Sequence, residues 1–247
     1  MLIAALLSFV ATNARANADD VPAWLANLIE EQTDILAADL GLAREPFLEL
    51  SYHAQGVEQG RRIIDAEAEA QVVRIDYGGA WQVSEPTARR DAIRNLAHEL
   101  AHVWQYELGM PTEPRFLHEG FAEAMAIHVL DECGAICGVQ PGTLMMLRER
   151  ECGDALRLGT LARNTSREAI YGCGAVMVAA VATAAGTDPQ GLYRQFAGTE
   201  RSFEAFQTLA KEAAGASFSI SARAFWQTNH RLAQPSRVIA SLRAGRL

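Results

Sequence analysis

The sequence predicts an α+β fold, in which a small mixed sheet near the N-terminus precedes a mainly helical C-terminal half. Two early segments, Pro46–His53 (PFLELSYH) and Gln71–Tyr77 (QVVRIDY), show the apolar alternation of β-strands, and Gly78-Gly79 ends the second. From Thr87 onward, the apolar residues recur at helical spacing instead. This change of period indicates that strands and helices are segregated along the chain.

Helices are predicted where apolar residues recur every three or four positions between stop signals. Trp24 to Leu40 is the first such segment, and Gly41 ends it. The later helices are expected near residues 87–108, 115–130, 142–150, 167–185, 189–197, 202–213 and 220–232. The stretch from Gly60 to Ala70 has no clear period and stays unassigned.

The N-terminal residues (MLIAALLSFVATNARANADD) have the pattern of a secretory signal. An apolar run covers Leu2 to Ala11, and small residues precede Asp19. The run is shorter than the ~20 apolar residues that span a bilayer. We therefore expect residues 1–18 to be a signal peptide and residues 19–247 to form a single exported domain. The alternative is a frayed N-terminus or a buried first helix.

The charge distribution argues against nucleic acid as a partner. The formal net charge is -8, from 30 acidic and 22 basic residues. Only Lys211 is a lysine, and the arginines are spread along the chain without a basic run. Binding to phosphates needs clustered cations, which this sequence lacks.

The four cysteines lie within one short part of the chain, at Cys133, Cys137, Cys152 and Cys173. An even number of cysteines in an exported chain favours two disulfides, whose pairing stays open among three possibilities. The spacing lacks the paired C-x2-C motifs of a structural zinc site. Reduced, buried cysteines are the alternative if the chain is not exported.

The motif HELAH, residues 98–102, lies within a predicted helix and carries metal-binding side chains. Positions four apart are about 40° apart around a helix, so His98 and His102 face the same way and can bind one Zn²⁺. Glu99 lies beside the open coordination position. A carboxylate there can take a proton from zinc-bound water and return it to the leaving group.

A catalytic zinc needs a third protein ligand, and the segment Leu117 to Glu123 (LHEGFAE) supplies candidates. HELAH followed by HEGFAE resembles the gluzincin zinc metallopeptidases of the peptidase MA-like superfamily. The resemblance implies a zincin-like fold, with Glu119 as the third zinc ligand and Glu123 as the carboxylate that orients a ligating histidine. An ordinary surface acid is the alternative for Glu123.

The resemblance extends to residues 169–206, where a tyrosine opens a helix after the active site. It implies that Tyr171 stabilises the oxyanion over the zinc, and a half-buried structural tyrosine is the alternative. Aminopeptidases of the group carry a Gly-x-Met-Glu-Asn segment that holds the substrate amine. Residues 78–82 (GGAWQ) lack its acid, which argues against an aminopeptidase. Gln71–Tyr77 is expected to be the edge strand that pairs with an extended peptide.

The sequence gives less evidence of a functional role for the other histidines. His118 precedes a ligand and is expected only to flank the site. His53, His128 and His230 are expected to be structural or surface residues, although His230 could assist a transition state from a late helix.

These observations together predict a periplasmic or secreted zinc metallopeptidase with one Zn²⁺ per chain. Its partners would be peptide or protein substrates, with no membrane span after removal of the signal. The alternatives are a non-catalytic exported module on a zincin scaffold, and a metal-free helical protein with a chance motif. The sequence leaves open the cleavage specificity, the distinction between endo- and exopeptidase, and the oligomeric state.

Overall fold

The α+β class is confirmed by a computed structural model that describes residues 21–54 and 56–247. A three-stranded mixed sheet is followed by a mainly helical region. The predicted signal peptide, residues 1–18, lies outside the described residues.

The elements follow one another along the chain with short connections. In order they are α1 (Ala23–Leu40), β1 (Phe47–His53), β2 (Arg62–Glu69), β3 (Val72–Gly79), α2 (Pro86–Glu107), α3 (Arg115–Cys133), α4 (Thr143–Leu156), a π-helical turn (Glu168–Cys173), α5 (Gly174–Ala185), α6 (Pro189–Ala197), α7 (Phe203–Ala214), α8 (Ala216–Gln227) and α9 (Pro235–Arg243). Single 3₁₀ turns lie at Val57–Gln59 and Leu161–Arg163.

The sheet has the order β1-β3-β2, with β3 parallel to β1 and antiparallel to β2. Val73, Ile75 and Tyr77 of β3 are fully buried, as expected for a central strand. The prediction that this segment is an edge strand is therefore wrong. The edge strands are β1 and β2, and β2 has a half-exposed, acid-containing sequence without a strongly apolar alternation that would have predicted it.

Helix α2 packs against α1, α3 and the edge strand β2. It begins with Pro86 at its first turn, where the missing N–H costs nothing. Arg62 at the start of β2 forms ion pairs with Glu85 and Asp91, the latter at 3.2 Å between Nη2 and Oδ2. These contacts fix the edge strand alongside the helix that carries HELAH.

Glycines allow α3 to approach α5 closely, and α4 to approach the π turn. A Cβ on Gly120 would lie 2.8 Å from the Cα of Gly174, and one on Gly174 would lie 2.8 Å from the carbonyl oxygen of Phe116. A Cβ on Gly172 would lie 2.9 Å from the amide nitrogen of Cys152. Backbone contacts this short exclude any side chain, so these glycines set the distance between the segments that carry Glu119 and Tyr171.

We expect the substitution Gly120→Ala to lower the free energy of unfolding by about 1–3 kcal/mol, because overpacking forces two helices apart. The loss should appear although alanine favours an isolated helix by about 1 kcal/mol. Urea denaturation followed by circular dichroism measures it. Gly198→Ala is the matched control, since its Cβ would meet nothing closer than an oxygen at 3.5 Å. Equal midpoints for the two variants would contradict the close crossing.

The π turn and α5 form a buried, apolar stretch. Among the described residues, the segment Glu168–Ala185 is long and apolar enough to cross a membrane, and 67 % of it is buried inside the fold. Such burial is typical of the central helix of a compact protein, which passes the same test by length and composition.

Candidate metal centre

Helices α2 and α3 bring three potential metal ligands together. His98 and His102 lie one turn apart on α2, and their Nε2 atoms are 3.0 Å apart. The Oε2 atom of Glu119, on α3, lies 3.2 Å from each Nε2 atom. This buried cluster resembles a zincin HExxH…E site.

The donor atoms fit a metal ion because their lone pairs converge. The Nδ1 atom of His98 lies 3.0 Å from the Glu123 carboxylate, and the Nδ1 atom of His102 lies 2.7 Å from the Gln105 carbonyl oxygen. Both Nδ1 atoms therefore carry the protons, which leaves each Nε2 atom as an acceptor in the neutral ring. Zinc takes such nitrogen and oxygen ligands at about 2.0–2.2 Å in a tetrahedral arrangement. The His-His-Glu group can bind a metal ion.

The electrostatics of the cluster also favour a cation. Burial alone lowers the pKa of His98, but its hydrogen bonds to Glu119 and Glu123 outweigh burial and raise the pKa to about 10. Burial lowers the pKa of His102 to about 4. Burial raises the pKa of Glu119, yet the two histidines outweigh it and hold that pKa far below its usual range. A positive charge at the centre is therefore favoured, as a proton or as a metal ion.

Glu123 is a buried carboxylate on α3 whose Oε2 atom lies 3.0 Å from the Nδ1 atom of His98. Its side chain is 0 % exposed, and its Oε1 atom accepts hydrogen bonds from Arg94 at 3.1 Å and from Arg148 at 2.7 Å. Burial raises the pKa of Glu123, but Arg94 and His98 outweigh burial and lower it to about 2. The carboxylate is therefore ionised and holds the His98 ring in one tautomer. Neither arginine was identified from the sequence.

Gln105 is the corresponding partner of His102, and the sequence analysis missed it. Its amide orientation is defined on both sides, since Oε1 accepts from His102 and Nε2 donates to the carbonyl oxygen of His118 at 3.1 Å. The signal was available, because Gln105 lies three residues after His102 on the same helix face.

His118 flanks the site as expected, but it belongs to a buried polar cluster. Its ring lies 4.3 Å from the ring of His102, between centroids. Its Nδ1 atom lies 3.2 Å from the buried carboxylate of Glu113, which also accepts a hydrogen bond from Tyr193 at 2.8 Å. The cluster of His118, Glu113 and Tyr193 thus packs beside the ring of His102, the second candidate ligand.

Glu99 and Tyr171 line a cavity of about 260 Å³ beside the candidate metal ligands. Glu99 is 5 % exposed, and burial raises its pKa to about 7. The ring of Tyr171 lies 5.3 Å from the ring of His98, between centroids, on the π turn before α5. The structure therefore brings both predicted catalytic side chains to a cavity that His98, one of the candidate metal ligands, also lines.

The cysteines form the disulfides Cys133–Cys137 and Cys152–Cys173. The second disulfide joins α4 to the π turn and so ties the segment of Tyr171 to the helix of Arg148. Two disulfides indicate an oxidising, extracytoplasmic location.

The remaining histidines do not join the metal group within residues 21–54 and 56–247. His128 lies 3.5 Å from Glu132 one helical turn later, and His230 contacts the carbonyl oxygen of Ala224 at 3.2 Å. His53 is exposed at the end of β1.

Comparison of the sequence with protein-family models and with curated proteins finds no match. The interpretation of the site therefore depends on its geometry and on the motif resemblance.

Proposed function

We propose that the chain is an exported, zinc-dependent metallopeptidase of the gluzincin type. The observation that carries the proposal is the convergence of His98, His102 and Glu119 beside a cavity that also contains Glu99. The disulfides support the exported location, and the substrates would be peptides or proteins.

Bound zinc would polarise the scissile carbonyl and lower the pKa of a water molecule to about 7. Glu99 then acts as the general base, accepting the proton of the attacking water on its carboxylate and delivering it to the leaving amine. A base works best when its pKa lies near the working pH, and burial gives Glu99 a pKa of about 7.

The isolation of Glu99 supports a catalytic role. Across the part of the chain that the structure describes, no side chain forms a hydrogen bond or ion pair with its carboxylate. A buried acid without a partner destabilises a fold, so its presence in a cavity beside metal ligands is typical of a functional site. A scaffold used only for binding has no need of it.

Tyr171 would stabilise developing charge. Its phenol can donate a hydrogen bond to the oxygen that becomes negative as water attacks the carbonyl. Burial raises the pKa of Tyr171, which keeps its proton available for donation.

Digestion of a peptide library by the zinc-loaded protein, read by mass spectrometry, tests the proposal. We expect cleavage that a chelator abolishes and that added zinc restores. A protein that carries the metal but cleaves nothing in the library would instead support the non-catalytic binding module.

A further inference from the structure

The cavity beside the metal centre has two different walls. One wall is the edge strand, through Ile64, Asp65 and Ala66. The other combines the start of α3 with the π turn and its preceding loop, through Arg115, Thr165, Arg167 and Tyr171. The floor carries His98 and Glu99.

Two of the arginines in this cavity are free to meet a ligand. Arg94 also lines it, but its charge is matched by the buried Glu123. Arg115 is 68 % exposed, and its ion pair with Glu119 is long, at 3.5 Å between Nε and Oε1. Arg167 is exposed and forms no ion pair with any residue that the structure describes.

Both guanidinium groups gather around one phenol ring. The Cζ atom of Arg167 lies 5.4 Å from the ring centroid of Tyr171, and interaction with Tyr171 raises the pKa of Arg115. Both arginines therefore line the same cavity as the phenol of Tyr171. Although Asp65 and Glu99 also line the cavity, two guanidinium groups beside one phenol can bind an anionic ligand at this wall.

A carboxylate suits this arrangement best. Guanidinium groups bind carboxylates through paired N–H donors, and such charge-assisted hydrogen bonds are among the strongest in proteins. The cavity of about 260 Å³ has room for only a small part of a peptide beside the reacting bond. Arg115 contacts Glu119 directly, and one extended residue spans about 3.5 Å, so the carboxylate would lie within about two residues of the reacting carbonyl.

We propose that Arg115 and Arg167 bind a carboxylate group of the substrate next to the scissile bond. This inference rests on the proposed peptidase function and narrows its substrate class. The carboxylate can come from the C-terminus of a peptide or from an acidic side chain. The free C-terminus would make the protein a carboxypeptidase.

Calorimetric binding to the zinc-loaded Glu99→Gln protein tests the inference without requiring turnover. The probes are an N-acetylated alanine tripeptide with a free carboxylate, the same peptide as its carboxamide, and an amide with a central glutamate. We expect at least one carboxylate-bearing probe to bind about tenfold more tightly than the alanine amide. The free-acid and glutamate probes distinguish the two sources of carboxylate.

The variant Arg167→Gln, in the same background, should remove that preference. Arg163→Gln is the matched control, because Arg163 is exposed four residues earlier in the chain and does not line the cavity. Arg115→Gln should act like Arg167→Gln, with zinc content measured beside it since Arg115 contacts Glu119.

Equal affinities for all three probes, or a preference that Arg167→Gln leaves intact, would overturn the inference. A further control probe is the alanine amide with a free amine in place of the acetyl group. Its tighter binding would also overturn the inference, because it would indicate that Asp65 binds the substrate amine. Turnover by the wild-type chain without carboxylate preference would refute this inference alone. Carboxylate preference without turnover would refute the peptidase function alone.

Discussion

The variant Glu99→Gln is expected to bind zinc as the wild type does and to lose turnover. Glutamine keeps the size of the side chain but cannot accept a proton, so kcat should fall by about 10²- to 10⁴-fold. Because Glu99 makes no hydrogen bond to the ligands, the metal stoichiometry should not change. Peptide cleavage rates and zinc content, measured on the same preparation, test both parts.

Glu107→Gln is the matched control, since Glu107 is an exposed glutamate on the same helix outside the cavity. It should retain wild-type kcat. An unchanged rate in the Glu99→Gln protein would show that another group activates the water and that the proposed mechanism is wrong.

The variant Glu123→Gln is expected to have the largest effect on stability. It removes the buried carboxylate that pairs with both Arg94 and Arg148, so that Arg148 keeps only Glu151, and such a loss costs about 3–5 kcal/mol. It also weakens the hydrogen bond that orients His98, which should lower zinc affinity by about 10- to 100-fold. Urea denaturation of the metal-free protein and competition with a chromogenic chelator measure the two effects separately.

Glu132→Gln is the control on the same helix, because Glu132 is 64 % exposed and makes only a weak contact with His128. Its unfolding midpoint and zinc affinity should match those of the wild type. If Glu123→Gln also leaves the unfolding midpoint and the zinc affinity unchanged, the buried contacts of Glu123 do not support the metal site.

The ligand set could be predicted from the sequence because its geometry is local. His98 and His102 are brought together by one helical turn, and the same spacing relates Glu119 to Glu123. The packing of α3 against α2 could not be predicted from periodicity. The motif resemblance instead predicted that Glu119, on α3, joins the two histidines.

The groups that support the ligands could not be predicted in the same way. Arg148 reaches Glu123 from α4, and nothing in a single sequence indicates which distant arginine neutralises a buried acid. The position of Arg167 near Tyr171 depends on the π turn, whose wider turn changes which side chains share a face of the helix predicted there.

The differences between the predicted and the observed secondary structure have a similar cause. The edge strand β2 was unassigned because it buries neither face fully. Helix α8 begins at Ala216, ahead of the expected residue 220, since Gly215 ends one helix and starts the next. Helix α9 was not predicted, because its short apolar stripe of Val238, Ile239 and Leu242 follows a proline in a polar segment.

The metal content of the purified chain tests the central claim most directly. After incubation with zinc and dialysis, mass spectrometry of the metal should find one zinc ion per wild-type chain. His102→Ala and Glu119→Ala should bind almost none, whereas Glu99→Gln should bind the full amount. A wild-type chain that binds no zinc, or ligand variants that bind as much as the wild type, would contradict the account.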